Sequence, residues 1–231
     1  MSLPAAIPTA RAGPDAPPRL GFEVRSAAVD RTAATPSIAL DLRVSAPPEV
    51  PIRSAVVRAQ VRIDVRRRSY DDATRERLRE VFGRPEQWGD SLRSLLWTQA
   101  VVMVPAFTGE TAVKLPLPCS YDFEVAAAKV LDGLRDGVVP LELLFSGTVF
   151  YADSDGALRT AMLPWEGEAR FALPAPLWRE AIDRFFPGSA WLRLDRDLFD
   201  RLHAYRTREG LPSWETALGA LLDAAGEEED E

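Results

Sequence analysis

The residue types that most often carry enzymatic chemistry are nearly missing from this chain. His203 is the only histidine and Cys119 the only cysteine among 231 residues. A zinc centre takes three or four His, Cys or carboxylate ligands. A nucleophilic triad sets a base, most often histidine, beside its nucleophile. One imidazole and one thiol arm neither arrangement. Cys119 reads as a small buried hydrophobe, and His203, inside a helical pattern, as a structural residue.

Carboxylates are the remaining reactive groups. Asp122 and Glu124 stand two positions apart. They would share a face if their segment is a strand and diverge if it is a helix; as a pair they could split their pKa values and work as acid and base. The plainer reading is two solvated surface acids. Asp153, Asp155 and Gly156 form a fragment of a calcium-loop pattern. A true loop of that kind spreads its ligands over about twelve residues between helices, whereas both flanks here read as strands, so an Asp-Gly hairpin turn accounts for the motif. Asp195, Asp197 and Asp200 read as helix-start and outward acids. No phosphate-cradling G-x-x-x-x-G-K-[ST] or G-x-G-x-x-G sequence occurs. No catalytic residue, metal ligand or cofactor is assigned on these grounds, and a carboxylate-dependent enzyme using Asp122 and Glu124 stays as the alternative.

Binding residues are better supplied. Nine arginines fall between positions 53 and 79 against four acids. Arg58, Arg62 and Arg66 lie along an alternating strand and its end, and Arg66, Arg67 and Arg68 run in sequence. Arginine forks pair with carboxylates and phosphates, so this set is the candidate surface for an anionic partner, with a solvated strand face as the ordinary reading. Aromatics do not interleave with these arginines, which argues against nucleic acid. Of six tryptophans, Trp88 and Trp165 sit in loop-like surroundings and are the candidate interface anchors.

These residues need elements to hold them. Residues 38–44 alternate Ile38, Leu40, Leu42 and Val44 with polar or small neighbours, and residues 57–66 alternate Val57, Ala59, Val61, Ile63 and Val65 with Arg58, Gln60, Arg62, Asp64 and Arg66. That is the period of two of a half-buried strand, which suits an antiparallel sheet. Further strands are expected over 22–30, 95–106, 113–117, 141–151 with an interruption or bulge at Gly147, 157–163 and 168–173. Asp71 or Asp72 caps a helix ending at Gly83, Asp195 caps one through Tyr205, and Ser213 caps the last; 176–186 is also helical. Residues 121–134 fit either a helix or a strand, with the alanines favouring helix. Strands first and helices last give an α+β fold: an antiparallel sheet or sandwich core with helices, the C-terminal segment helical.

The organisation follows. Residues 1–18, rich in Pro and Ala, read as a disordered arm. Residues 19–190 form a β-rich main domain, 191–225 a C-terminal helical segment packed on it, and 226–231 an acidic tail. Five of the seven net negative charges lie in 227–231, leaving the body at about −2, with no general pull towards nucleic acid. No apolar run approaches the ~20 residues that span a bilayer, no secretory signal opens the chain, and a lone cysteine suits a reducing cytoplasm.

Several segments together carry a resemblance: RSYDD at 68–72, WGD at 88–90, LWT at 96–98, VPAFTG at 104–109, PCSYDFEVAAAK at 118–129, LFSGTVF at 144–150, LPW at 163–165 and FPGSAWLR at 186–193. Over roughly residues 20–225 the sequence resembles an uncharacterised, mainly actinobacterial protein family whose genes lie beside those of the uptake nickel-iron hydrogenase. The resemblance implies a part in assembly, maturation or function of that hydrogenase. One cysteine cannot ligate an iron–sulfur cluster, which usually takes four, so the implied role is accessory: a non-catalytic assembly or binding protein whose partner is the hydrogenase or a maturation factor. A chaperone-like module with an apolar groove is a further alternative.

Overall fold

The computed structural model describes residues 17–120, 122, 125–163, 167–189 and 193–227. Eight strands among the described residues form two antiparallel sheets. The first holds β1 (Gly21–Val29), β2 (Ser37–Ser45) and β5 (Glu110–Pro118) in the order β1-β2-β5. The second holds β3 (Ile52–Ile63), β4 (Leu95–Val104), β6 (Val138–Ala152), β7 (Leu158–Leu163) and β8 (Glu168–Pro174). Its order is β4-β3-β6-β7, and β8 also pairs with β6.

Alternation in the sequence becomes burial in the fold. Ile38, Leu40, Leu42 and Val44 of β2, and Ala55, Val57, Ala59, Val61 and Ile63 of β3, are fully buried and belong to one hydrophobic cluster. Both sheets share that core. Burying side chains of this size stabilises by roughly 1.5–3 kcal/mol each before conformational entropy is subtracted. The chain moves from the first sheet to the second after β2 and returns at β5, so β4 and β5 lie in different sheets. Alternation predicts the strand over 113–117 but not its neighbour, because period two specifies a face, not a partner strand.

Between β3 and β4 the chain forms short helices: α1 (Asp72–Arg77), α2 (Arg79–Phe82) and α3 (Trp88–Ser91). Asp71 caps α1, its carboxylate accepting from the Thr74 N–H at 2.7 Å. The single helix expected here is broken at Leu78. Helix α4 (Ala126–Gly133) packs against β4, and α5 (Pro176–Asp183) packs against β1 and β2. The ambiguous 121–134 segment is therefore helical from Ala126; Tyr121, Phe123 and Glu124 lie outside the described residues. No bulge occurs at Gly147, where the β3–β6 register runs unbroken.

The chain divides into two compact units, residues 1–190 and 191–231. The second contains α6 (Arg196–Arg208), capped by Asp195 accepting from the Leu198 N–H at 2.8 Å, and α7 (Trp214–Glu227), whose Thr216 N–H donates to Ser213 Oγ at 3.1 Å. Of the expected N-terminal arm only residues 17 and 18 are described, and Pro18 is buried. Among the described residues no helix is long and apolar enough to cross a membrane.

Candidate partner-binding face

Residues directly opposite in antiparallel strands point to the same side of the sheet, so the register of the second sheet writes out its outer face. One row runs Met103, Val56, Thr148, Met162; the next Val101, Arg58, Ser146; then Gln99, Gln60, Leu144; then Leu96, Arg62, Glu142, Arg170. Arg58 and Arg62 alternate with the buried residues of β3, as the sequence predicts. Around them stand large apolar side chains open to solvent: Met103 and Met162 are 71% and 73% exposed and Val101 53%, with Leu96 and Val56 also exposed.

Arg58 and Arg62 form no ion pair among the described residues. Glu142 stands across from Arg62 in register, yet the Arg62 Nε–H, withdrawn from solvent, has no acceptor. A donor in that state costs free energy until it is met. On the outer face of the first sheet the Arg43 Nε–H is likewise unmet, but its terminal nitrogens are paired. There Arg43 lies between Glu23 and Glu110, and Lys114 meets Asp41 at 3.0 Å. Its charges are matched within the sheet, and the Arg43 guanidinium holds the Glu110 carboxyl below the usual carboxylate range.

The remaining sequence candidates separate. Arg66 is exposed, and Arg67 pairs with Asp64 at 2.9 Å. Arg68 turns inward. Its side chain is 11% exposed and donates at 2.7 Å to the carbonyls of Asp136 and Val138 and to the Asp136 carboxylate. It clamps the turn into β6, which corrects its expected place on a binding surface. Removing it orphans two carbonyls, so Arg68→Ala is expected to cost about 2–3 kcal/mol in a urea titration; a loss under about 0.5 kcal/mol would place it back on the surface. Trp88 is likewise interior, at 6% exposure, and not a surface anchor. Trp165 lies outside the described residues.

The apolar half of the face was missed by sequence reasoning, although a signal was present. β4 reads LLWTQAVVMV, apolar on both faces. Antiparallel strands with one solvated face alternate; runs apolar on both sides belong to strands covered on both sides. β4 has the composition of a covered strand, yet Leu96, Val101 and Met103 on its outer face are exposed.

Other reactive candidates do not assemble. Asp122 is exposed. The Asp153 carboxylate accepts from the N–H groups of Asp155 and Ala157 and from Arg159 Nε at 2.7 Å, closing the hairpin turn expected there. Among the described residues no group of three or more His, Cys, Asp or Glu side chains is placed to hold a metal. His203 lies beside the rings of Phe199 and Trp214, centroids 6.3 and 6.1 Å away. A cleft of about 650 Å³ is lined by Arg31, Arg135, Arg179 and Arg184 but also by Glu180 and Asp183. Arg179 is committed to Asp132 and Arg184 donates to the Arg31 carbonyl.

One buried and one half-buried group give a pH dependence. Burial pushes the Cys119 thiol, from an ordinary 9.0, up to about 12. Burial also pushes the Tyr70 phenol up to about 12, and its O–H donates to the Val65 carbonyl at 2.6 Å. Both groups hold their protons more tightly folded than unfolded. The stability they carry is whole below about pH 9 and is lost as pH rises towards 12. Urea midpoints are expected to fall across that window, and to fall less steeply in Tyr70→Phe with Cys119→Ala; an unchanged slope in the double variant would refute the assignment.

Comparisons place the chain. No curated protein matches it. It is similar to the solved structure of a β-glucosidase from Kluyveromyces marxianus at 10% identity and a TM-score of 0.25, over 68% of this chain and 15% of that one. It is also similar to a putative ApaA protein from Bordetella pertussis at 14% identity and a TM-score of 0.22, over 68% of this chain and 94% of that one. The chain thus spans under two thirds of the β-glucosidase's length, and likeness at these scores says nothing of activity. Residues 17–230 match the model of DUF6084, a family of unknown function, and the chain belongs to that family.

Proposed function

We propose that this chain is a non-catalytic accessory protein that docks a protein partner on the outer face of its second sheet, the partner being a nickel-iron hydrogenase or one of its maturation factors. The observation that carries the docking reading is the bare face itself: Arg58 and Arg62, without carboxylate partners among the described residues, set among Val56, Val101, Met103 and Met162. Arginine and methionine are both enriched at protein interfaces relative to the rest of the surface. The choice of hydrogenase rests on the resemblance to the family encoded beside uptake hydrogenase genes. The small local charge excess and the apolar rows favour a protein over nucleic acid, and the reducing cytoplasm is the proposed compartment for the single buried thiol.

The test has two parts. Deleting the gene should lower hydrogen uptake or stall processing of the hydrogenase large subunit; normal values for both remove the hydrogenase assignment. Capture from native cells by the tagged chain should recover a hydrogenase component. Arg58→Glu with Arg62→Glu should weaken that capture by about 100-fold, because like charges then face each other. Thermal stability should hold, since both side chains point away from the core. Undiminished capture by the double variant removes the face from the docking site.

A further inference from the structure

The outer face of the second sheet exposes apolar side chains beside arginines, and a second exposed apolar surface, of opposite charge, occurs among the described residues. The other belongs to the C-terminal unit. Helix α6 buries none of its residues. In α7 Ala217 is buried, whereas Leu221 is exposed and Leu222 is 71% exposed. Residues 214–231 contain seven acidic residues and no Lys or Arg, five of the acids forming the run 227–231. Helix α7 itself is amphipathic, carries acids and no cation, and presents leucines. Apart from Arg193, the arginines of this unit lie on α6, where Arg206 sits over the Trp214 ring at 4.0 Å.

We infer that the acidic segment 214–231 of a second copy of this chain seats on the outer face of the second sheet, its leucines against Met103, Val101, Val56 and Met162 and its carboxylates against Arg58 and Arg62. This deepens the reading of that face as a docking surface and rests on it. Charge complementarity selects the occupant: a segment without a single cation meets arginines that have no carboxylate partner among the described residues. Each copy carries both the acidic helix and the arginine face. A two-fold pair therefore satisfies both sets in both copies and closes, without growing into a chain. A partner protein would then have to displace the helix, so self-association would hold the face in reserve and partner binding would release it.

Full-length chains test this by charge exchange, read by sedimentation velocity over a wide concentration range. The wild-type chain should be a dimer. Arg58→Glu with Arg62→Glu should be monomeric, because its acidic segment now meets an acidic face. Replacing Glu227, Glu228, Glu229, Asp230 and Glu231 together by Lys leaves only Glu215 and Asp223 acidic in the segment and turns it basic, so this lysine variant should be monomeric for the converse reason. Each change should weaken self-association by about 100-fold or more. An equimolar mixture of the two variants should recover a dimer of one chain of each kind, since every face in it meets a segment of opposite charge. That recovery also shows that both variants are folded.

A monomeric wild-type chain, or variants that stay apart when mixed, overturns the proposal; the second result would mean that the segment finds its face, if at all, within one chain. The failure of this proposal is separable from that of the docking reading. The lysine variant keeps Arg58 and Arg62 and should capture the cellular partner at least as well as the wild type. If self-association fails but that capture holds, the docking face stands without the second copy; if neither chain captures a partner, the docking reading falls whatever the sedimentation shows.

Discussion

Trp88→Ala is expected to lower the stability of the first unit by about 4 kcal/mol, the cost of truncating a large aromatic that the surrounding structure cannot collapse onto. The ring is held on several sides. Tyr70 meets it edge-on with centroids 5.1 Å apart, Phe82 meets it at 5.6 Å, and its indole N–H donates to the Gly83 carbonyl at 3.1 Å. Gly83 closes α2 at φ +77°, a conformation glycine takes without steric cost. Trp88 thus ties together the end of α2, the residues before α1 and its own short helix. Trp88→Phe should recover more than half of the loss, keeping most ring contacts and giving up the hydrogen bond. Urea titration by far-UV circular dichroism measures both. A loss below about 1 kcal/mol in Trp88→Ala, together with weakened partner capture, would reverse the assignment and return the residue to an interface.

Trp88 also shows where sequence reasoning stops. Gly83, Pro85 and Gly89 around it carry every local mark of an exposed connector. What buries the ring is Tyr70 and Phe82, and no local pattern encodes that meeting. The alternation of β2 and β3 and the caps at Asp71, Asp195 and Ser213 were legible because each is settled within a few residues. The three consecutive arginines fall between these cases. Residues Val65–Arg67 form a 3₁₀ turn, which rotates successive side chains by about a third of a turn. Arg66, Arg67 and Arg68 therefore cannot share a face: the first meets solvent, the second Asp64, and the third the turn before β6. Read as a linear patch, they overstate the exposed surface by one residue, Arg68.

The same distinction governs the face itself. Its arginine half was visible because β3 alternates strictly; its apolar half was hidden in β4, whose two apolar sides look the same until the register says which one turns outward. Met162 enters only through the β6–β7 pairing, and Val56 sits opposite Met103 only once β3 and β4 are aligned. A face made from four strands is a property of register, which depends on pairings between segments far apart in the chain. Composition bounds what such a surface is made of, and the fold decides which parts of it meet.

Gly147→Ala is expected to destabilise the protein by about 3 kcal/mol or more, through a collision that the sheet cannot relieve. Gly147 has φ +147°, outside the range that side chains other than glycine readily take. A methyl group there would run into the Val56 carbonyl and lie 3.2 Å from the Val57 Cα. Both obstacles are backbone atoms of β3, which is held by β4 on one side and β6 on the other, so neither strand can withdraw without breaking a ladder. The strained backbone alone costs more than about 1 kcal/mol, and overpacking against it adds roughly 1–3 kcal/mol. The position is also where β6 exchanges its second neighbour: β8 pairs with it as far as Leu144 and β7 from Gly147 onward. Strain at that junction should move the row Met103, Val56, Thr148, Met162, so any folded fraction of the variant should dock its partner more weakly. Ser146→Ala, one position away and pointing outward, is the control and should lie within about 0.5 kcal/mol of wild type. Equal urea midpoints for the two variants would mean that β6 does not approach β3 as closely as this register requires, and the alignment of the face built on it would have to be redrawn.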